Sequence, residues 1–280
     1  MARFEEVTAE AGVDAAAQPR PFMVVPLKGA NLVRADLGKG GRAPQGDHFV
    51  KVEDVTGQPP GGAASPARPG GAGPRLLRVT GRQPGLTTLR LGKLQSEQLD
   101  VAVLKPRTAS VTFKLFHRLD EAGKPLATMW RPDDAPGLIE AMNAIYGPQA
   151  NVAFSLRKAE TLTIKERFGP VVMEETYNTH LKGRLDKDAF ITVFLVGKWA
   201  HSRTNPVAGS HYLYGKNNVV ILNDQPTPEG TGVDPFRLTL AHELGHCLGG
   251  DHLKRNHVLM STGLQSLRIS KELVELVNHW

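Results

Sequence analysis

One cysteine, Cys247, occurs in the 280 residues, so no intrachain disulfide can form. The fold must then rest on a packed core or on a metal rather than on cross-links. Long apolar runs are also missing. The longest uncharged apolar run, Ala189–Gly197, is about half of what a bilayer-spanning helix needs, which excludes a helical membrane span. There is no run of five cations either. The 34 Lys and Arg against 28 Asp and Glu give a net charge of +6 that is scattered and not interleaved with aromatics. That pattern reads as a solvated basic surface, and nucleic acid is not an expected partner. Finally, Met1–Val7 carries Glu5 and Glu6 where an export signal needs a basic flank and an apolar core. The expectation is leaderless export, with the cytoplasm as the alternative location.

What the chain does have is a soluble protein's composition, 40% hydrophobic and 22% charged, and a length that suits two domains. Residues 1–20 contain only Phe4, Val7 and Val13 as larger apolar groups and read as a flexible tail. From Pro21 to Pro106 come short β-type runs at Phe22–Leu27, His48–Val55, Arg75–Thr80, Leu86–Leu91 and Gln98–Leu104. In the last of these, Leu99, Val101 and Val103 alternate with Asp100 and Ala102, the period of a half-buried strand. Residues 57–74 hold 11 Gly or Pro in 18 positions, which excludes regular structure and predicts a loop between strands.

After Lys105-Pro106 strand and helix signals alternate, which predicts a second domain over 107–280 of α+β type. Strands are expected at Val111–His117, Asn151–Leu156, Phe190–Val196, Ser210–Tyr214 and Val219–Leu222. An amphipathic helix is expected over Ala135–Tyr146, a helix from Asp234-Pro235 onward, and a last helix at Ser270–Asn278.

Chemistry concentrates in residues 242–252, HELGHCLGGDH. His242, Glu243, His246, Gly249 and His252 fit His-Glu-x-x-His-x-x-Gly-x-x-His, a coincidence on the order of 10⁻⁷ per window at average residue frequencies. Asp234 is a good N-cap and Pro235 suits the first helical position. On that helix His242 and His246 stand about 40° apart, one turn along the axis, and can hold one ion between them. Phe236, Leu240, Leu244 and Leu248 lie roughly opposite. On a continued helix His252 would fall about 9 Å beyond His246 and turn away from it. Gly249 and Gly250 permit the chain to bend back. Three neutral imidazoles leave one zinc ion an open tetrahedral position for water, the arrangement of a catalytic site. Glu243 is placed to take a proton from that water as it attacks a carbonyl. Cys247 lies about 100° around the helix from His246 and reads as a small buried residue.

Two resemblances follow from these residues. GRQPGLTTLRLG and EQLDVAVLKP, residues 81–92 and 97–106, resemble the last two strands of bacterial immunoglobulin-like domains. HELGHCLGGDH, with Met260 eight residues after His252, resembles the metzincin metallopeptidases at matrixin-like spacing. Together they imply an all-β immunoglobulin-like sandwich over 21–106, then a metzincin-like domain with a mixed twisted sheet, zinc helix, Met turn and C-terminal helix. The second resemblance implies His242, His246 and His252 as ligands of one catalytic Zn²⁺, Glu243 as general base and Met260 as the turn methionine. It further implies that Ser210, His211, Tyr212, Leu213 and Tyr214 form the substrate-binding edge strand, with a pocket walled by Thr262–Leu267. The sequence departs from the family at Ser261-Thr262, where some branches have a tyrosine after the methionine, and it has no clear pattern for the structural zinc and calcium loop. His180, His201, His211 and His257 are left over.

The leading expectation is a zinc endopeptidase acting on proteins or peptides. The alternatives are an immunoglobulin-like binding module with an inactive or structural zinc domain, its first domain holding a protein or cell-surface partner, and a metal-dependent cell-wall amidase.

Overall fold

The computed structural model describes residues 3–5, 13–17, 19–37, 42–56, 74–120, 122–167, 180–197, 200–202, 205–206, 209–214, 216–223, 235–261 and 266–277. Internal contacts group Met1–Arg107, Ala144–Val152 and Leu267–Trp280 into one unit, and Thr108–Asn143 and Ala153–Ser266 into another. The fold is mixed, with many strands and few helices.

The first unit contains β1 (Arg3–Glu5), β2 (Val13–Asp14), β3 (Phe22–Pro26), β4 (Ala30–Asp36), β5 (Val50–Asp54), β6 (Arg75–Gly81), β7 (Gly85–Arg90) and β8 (Gln98–Leu104). They form two four-stranded sheets, ordered β1-β4-β6-β5 and β2-β3-β8-β7. All pairs are antiparallel except β3 with β8. Met23, Val25, Leu99, Val101 and Val103 of one sheet share a core with Val33, Ala35, Val50, Leu77 and Val79 of the other. Alternate residues of β3, β4, β6 and β8 reach this core, as the two-residue period requires. The Gly- and Pro-rich segment lies outside the described residues up to position 73.

The division of the chain differs from the sequence reading in two ways. The described segments of the expected tail instead join the sandwich: β1 pairs with β4, β2 pairs with β3, and Phe4 and Val13 enter the shared core. One large apolar side chain per short strand suffices because the neighbouring strand supplies the backbone hydrogen bonds. The second difference is that the region expected as one domain, 107–280, is shared between the units. Gln149 bonds the Leu267 carbonyl (2.9 Å) and the Ile269 N–H (2.8 Å). The Pro148 carbonyl accepts from Asn31 (2.9 Å) and Asp14 accepts from the Lys271 N–H (3.2 Å). These bonds hold residues 144–152 and the last helix to the strands of the first unit.

The second unit is built on β9 (Arg107–Leu119), β10 (Pro125–Ala127), β11 (Val152–Arg167), β12 (Ile191–Val196), β13 (Ala200–Ser202), β14 (Asn205–Pro206), β15 (Gly209–Tyr214) and β16 (Asn217–Asn223). The main sheet runs β10-β9-β12-β16-β15, with β11 also on β9 and β13-β14 as a separate pair. β12 is parallel to both neighbours and buried at all six positions, which explains why it is apolar at every position but Thr192. β15 is antiparallel to β16. Phe116, Ile164, Phe194, Val196, Val219 and Ile221 fill the core on one face.

Among the described residues lie three α-helices: α1 (Ala135–Ala150), α2 (Pro235–Cys247) and α3 (Lys271–Val277). α1 runs past Gly147-Pro148, where the sequence suggested a stop, and ends at Asn151 in the left-handed region (φ 53°). Among the described residues no helix is long and apolar enough to cross a membrane.

Because Phe4 is 4% exposed within the sandwich core, Phe4→Ala is expected to destabilise the first unit by about 3 kcal/mol, read as a lowered midpoint of urea unfolding. A midpoint unchanged from the wild type would restore the tail.

Candidate functional site

The site is assembled by α2, the turn after it and the edge strand β15. Leu240, Leu244 and Leu248 are buried against the core, as the helical period anticipates, but His242 and Glu243 are buried as well, at 6% and 7% exposure. The expected N-cap, Asp234, lies outside the described residues. The helix ends in a Schellman arrangement: the Gly250 N–H donates to the Gly245 carbonyl and the Gly249 N–H to the His246 carbonyl, both at 2.9 Å. Gly249 has φ +95°, a conformation a Cβ would strain, so glycine is required to reverse the chain there.

This reversal returns His252 to the helix. The Nε2 of His252 lies 3.1 Å from that of His242 and 3.3 Å from that of His246. The other ring nitrogens are committed. The Nδ1–H of His242 donates to the Leu259 carbonyl and that of His246 to the Gly250 carbonyl, each at 2.7 Å. Because a carbonyl only accepts, both hydrogens sit on Nδ1, and the two Nε2 lone pairs face inward. Burial pulls both imidazoles below the usual histidine range, His246 to about 4, so they are neutral at pH 7 and competent as ligands.

These donors fit zinc. Three imidazoles at about 2.0–2.1 Å from one tetrahedral ion stand about 3.3 Å apart, close to the two separations found here. The carbonyl partners of His242 and His246 are the outer contacts that fix a ligating imidazole's tautomer. Among the described residues these three histidines are the one such group of potential ligands. His252 is exposed, so the site opens to solvent on its side.

Glu243 lies next to the group, and burial pushes its carboxyl up to about 7. The edge strand runs against it. A Cβ on Gly209 would fall 2.9 Å from Glu243 Cγ, 2.9 Å from Thr239 Cγ2 and 2.8 Å from Leu222 Cδ2, so glycine lets β15 approach α2 this closely. Two residues on, the His211 ring lies parallel to that of His246, centroids 5.9 Å apart. Leu213, on the same face, is 67% exposed. The side chains of Ser210, Tyr212 and Tyr214 lie outside the described residues. Among those described, β15 pairs with β16 alone.

Met260 is 1% exposed, and its carbonyl accepts from the N–H of Leu253, directly after His252 (2.7 Å). Of the pocket wall expected at Thr262–Leu267, residues 262–265 lie outside the described part. Cys247 is buried apart from the histidine group, and burial pushes its thiol up. His180 and His257 stand outside the group too, and the His201 side chain is not among those described. The sequence reading did not anticipate Gly209, Asn218 or the two carbonyls, because each acts through a contact between segments distant in sequence.

No protein-family model matches the chain, and no curated protein matches it in sequence. Among solved structures, an archaemetzincin from Methanopyrus kandleri overlays with a TM-score of 0.36 at 13% identity, over 61% of this chain and 93% of that one. A metalloproteinase-II from Bacteroides fragilis overlays with a TM-score of 0.35 at 16% identity, over 59% of this chain and 48% of that one. At such scores neither overlay bears on what this chain does.

Zinc titrated into the metal-free full chain is expected to bind at one equivalent, and His252→Ala to weaken binding by at least about a hundredfold. Isothermal calorimetry checks both; no uptake, or equal affinity in the variant, counts against the site.

Proposed function

We propose that the chain is a zinc-dependent endopeptidase of metzincin type, carrying an immunoglobulin-like domain ahead of its catalytic part. The observation that carries this reading is the convergence of three inward-facing Nε2 atoms beside a buried carboxyl, with a strand edge alongside. Support for the metzincin type comes from the mixed sheet with its antiparallel edge, the Gly249 reversal and the buried Met260 after it. The two four-stranded sheets sharing one core support the immunoglobulin-like reading, although the parallel pairing of β3 and β8 leaves its strand order open.

In this reading His242, His246 and His252 hold the ion through Nε2, while the Leu259 and Gly250 carbonyls keep two of the rings in place. When bound, the ion supplies a Lewis acid that polarises the scissile carbonyl and makes water more acidic. Glu243 accepts the proton of the attacking water on a carboxylate oxygen and then delivers it to the leaving amine nitrogen. β15 receives an extended peptide as an added strand, so main-chain hydrogen bonds orient the scissile bond without reading side chains. A structural zinc site would give no role to a buried carboxyl beside its ligands, and this disfavours the binding-module alternative.

The decisive experiment incubates the zinc-loaded full chain and Glu243→Ala with a mixed peptide library and with cell-wall peptides, reading cuts by mass spectrometry. Cleavage of library peptides by the wild type is expected, with the variant retaining zinc and losing at least about a hundredfold in rate. Cuts confined to cell-wall peptides would shift the reading to an amidase, and no cut by the wild type would refute both.

A further inference from the structure

We propose that His211 is a further substrate-contacting residue, its Nδ1 accepting a backbone N–H of the peptide that lies along β15. This rests on the endopeptidase reading above and names a side chain that reading does not require.

Strand alternation sets the placement. Gly209, His211 and Leu213 share one face of β15, and Gly209 is pressed against Glu243. That face therefore puts His211 beside the metal group, where its ring lies within 14° of parallel to the His246 ring.

Hydrogen bonding then orients the ring. Asn218, on the neighbouring β16, is 6% exposed and directs Nδ2 at the Phe190 carbonyl (3.4 Å). A carbonyl only accepts, so the amide nitrogen must face Phe190, leaving the amide oxygen to face His211 Nε2 at 3.3 Å. That oxygen also only accepts, so Nε2 carries the ring hydrogen and Nδ1 is bare. Both bonds are long, but each leaves the same choice of donor and acceptor.

The two nitrogens of an imidazole point to diverging sides of the ring. With Nε2 turned back to β16, Nδ1 is turned away from it, toward the side of β15 where no described strand pairs. A peptide added at that edge presents main-chain N–H groups along its length, and a bare Nδ1 there is a matching acceptor. A lysine or arginine at this position would offer only donors; a neutral histidine held by Asn218 offers only the acceptor.

The test uses the zinc-loaded full chain. Nitrogen-15 spectra of its imidazoles are expected to show His211 with hydrogen on Nε2 and none on Nδ1, and Asn218→Leu to abolish that preference. On a peptide that the wild type cuts, His211→Ala is expected to lower kcat/KM about tenfold with zinc content unchanged. His211→Asn, which restores an acceptor near the Nδ1 position, should recover most of the loss. In a series of peptides whose backbone N–H groups near the cut are replaced in turn by ester oxygen, the wild type and His211→Ala should become equal on one member. Hydrogen on Nδ1, a loss under twofold, or an Ala effect of equal size on every ester peptide overturns the contact while leaving the endopeptidase reading standing. A wild type that cuts no peptide refutes that reading and the contact with it, whatever the ring spectrum shows.

Discussion

Two imidazole Nε2 atoms with lone pairs facing inward, and a third Nε2 at 3.1 and 3.3 Å from them, form a repulsive arrangement unless something positive lies between. His252 could bring at most one hydrogen to the contact, which would quiet one lone pair and leave the other. The rings are prevented from turning away because the Leu259 and Gly250 carbonyls hold their Nδ1 hydrogens. A dication at the centre relieves this frustration, and much of the second unit can be understood as the means of enforcing it. The buried leucines of α2 seat the helix, the Schellman end and Gly249 reverse the chain, and the bond from Leu253 to Met260 fixes the segment after His252.

The second constraint is steric. β15 can pass beside Glu243 only because position 209 has no side chain. Close approach has two consequences at once. It removes water from the carboxyl, which raises its pKa, and it brings the strand edge to the same place as the three histidines. The buried carboxyl and the strand edge are therefore positioned by one contact, and neither could be moved without the other.

How much of this was legible in sequence follows from the range of the interactions. The histidine spacing, the helix that carries it and the Gly249 reversal are local, so the letters of 235–252 contain them. Strands such as β8 and β12 announce themselves because alternation or near-continuous apolarity marks their burial. β4 was missed since Ala-Asn-Leu-Val-Arg-Ala-Asp buries fully only Val33 and Ala35, and β10, β13 and β14 are too short to show a period. β1 and β2 were missed because a single Phe4 or Val13 carries no pattern and is anchored by partners elsewhere. The same holds for Gly209, whose need is created by Thr239 and Glu243, and for Asn218, which acts on His211 across a strand pair. The sharing of 107–280 between two units was hidden for the same reason: the bonds of Gln149, Asn31 and Asp14 join distant segments.

The three histidines are not held equally. His242 and His246 ride on a helix, and each has a carbonyl fixing its ring. His252 is exposed on the turn, and the chain beyond it must reach Met260 through His257, which has φ +59°. A non-glycine residue in that region costs on the order of 1 kcal/mol and persists only where the surroundings impose it. Here the burial of Val258, Leu259 and Met260 imposes it, since all three are 1% exposed or less. Leu259 also supplies the carbonyl that holds His242. The apolar turn thus restrains His252 and orients the His242 ring through the same three residues. In the proposed zinc reading, packing of the turn is therefore coupled to metal affinity: loosening it would let His252 drift and free the His242 ring together.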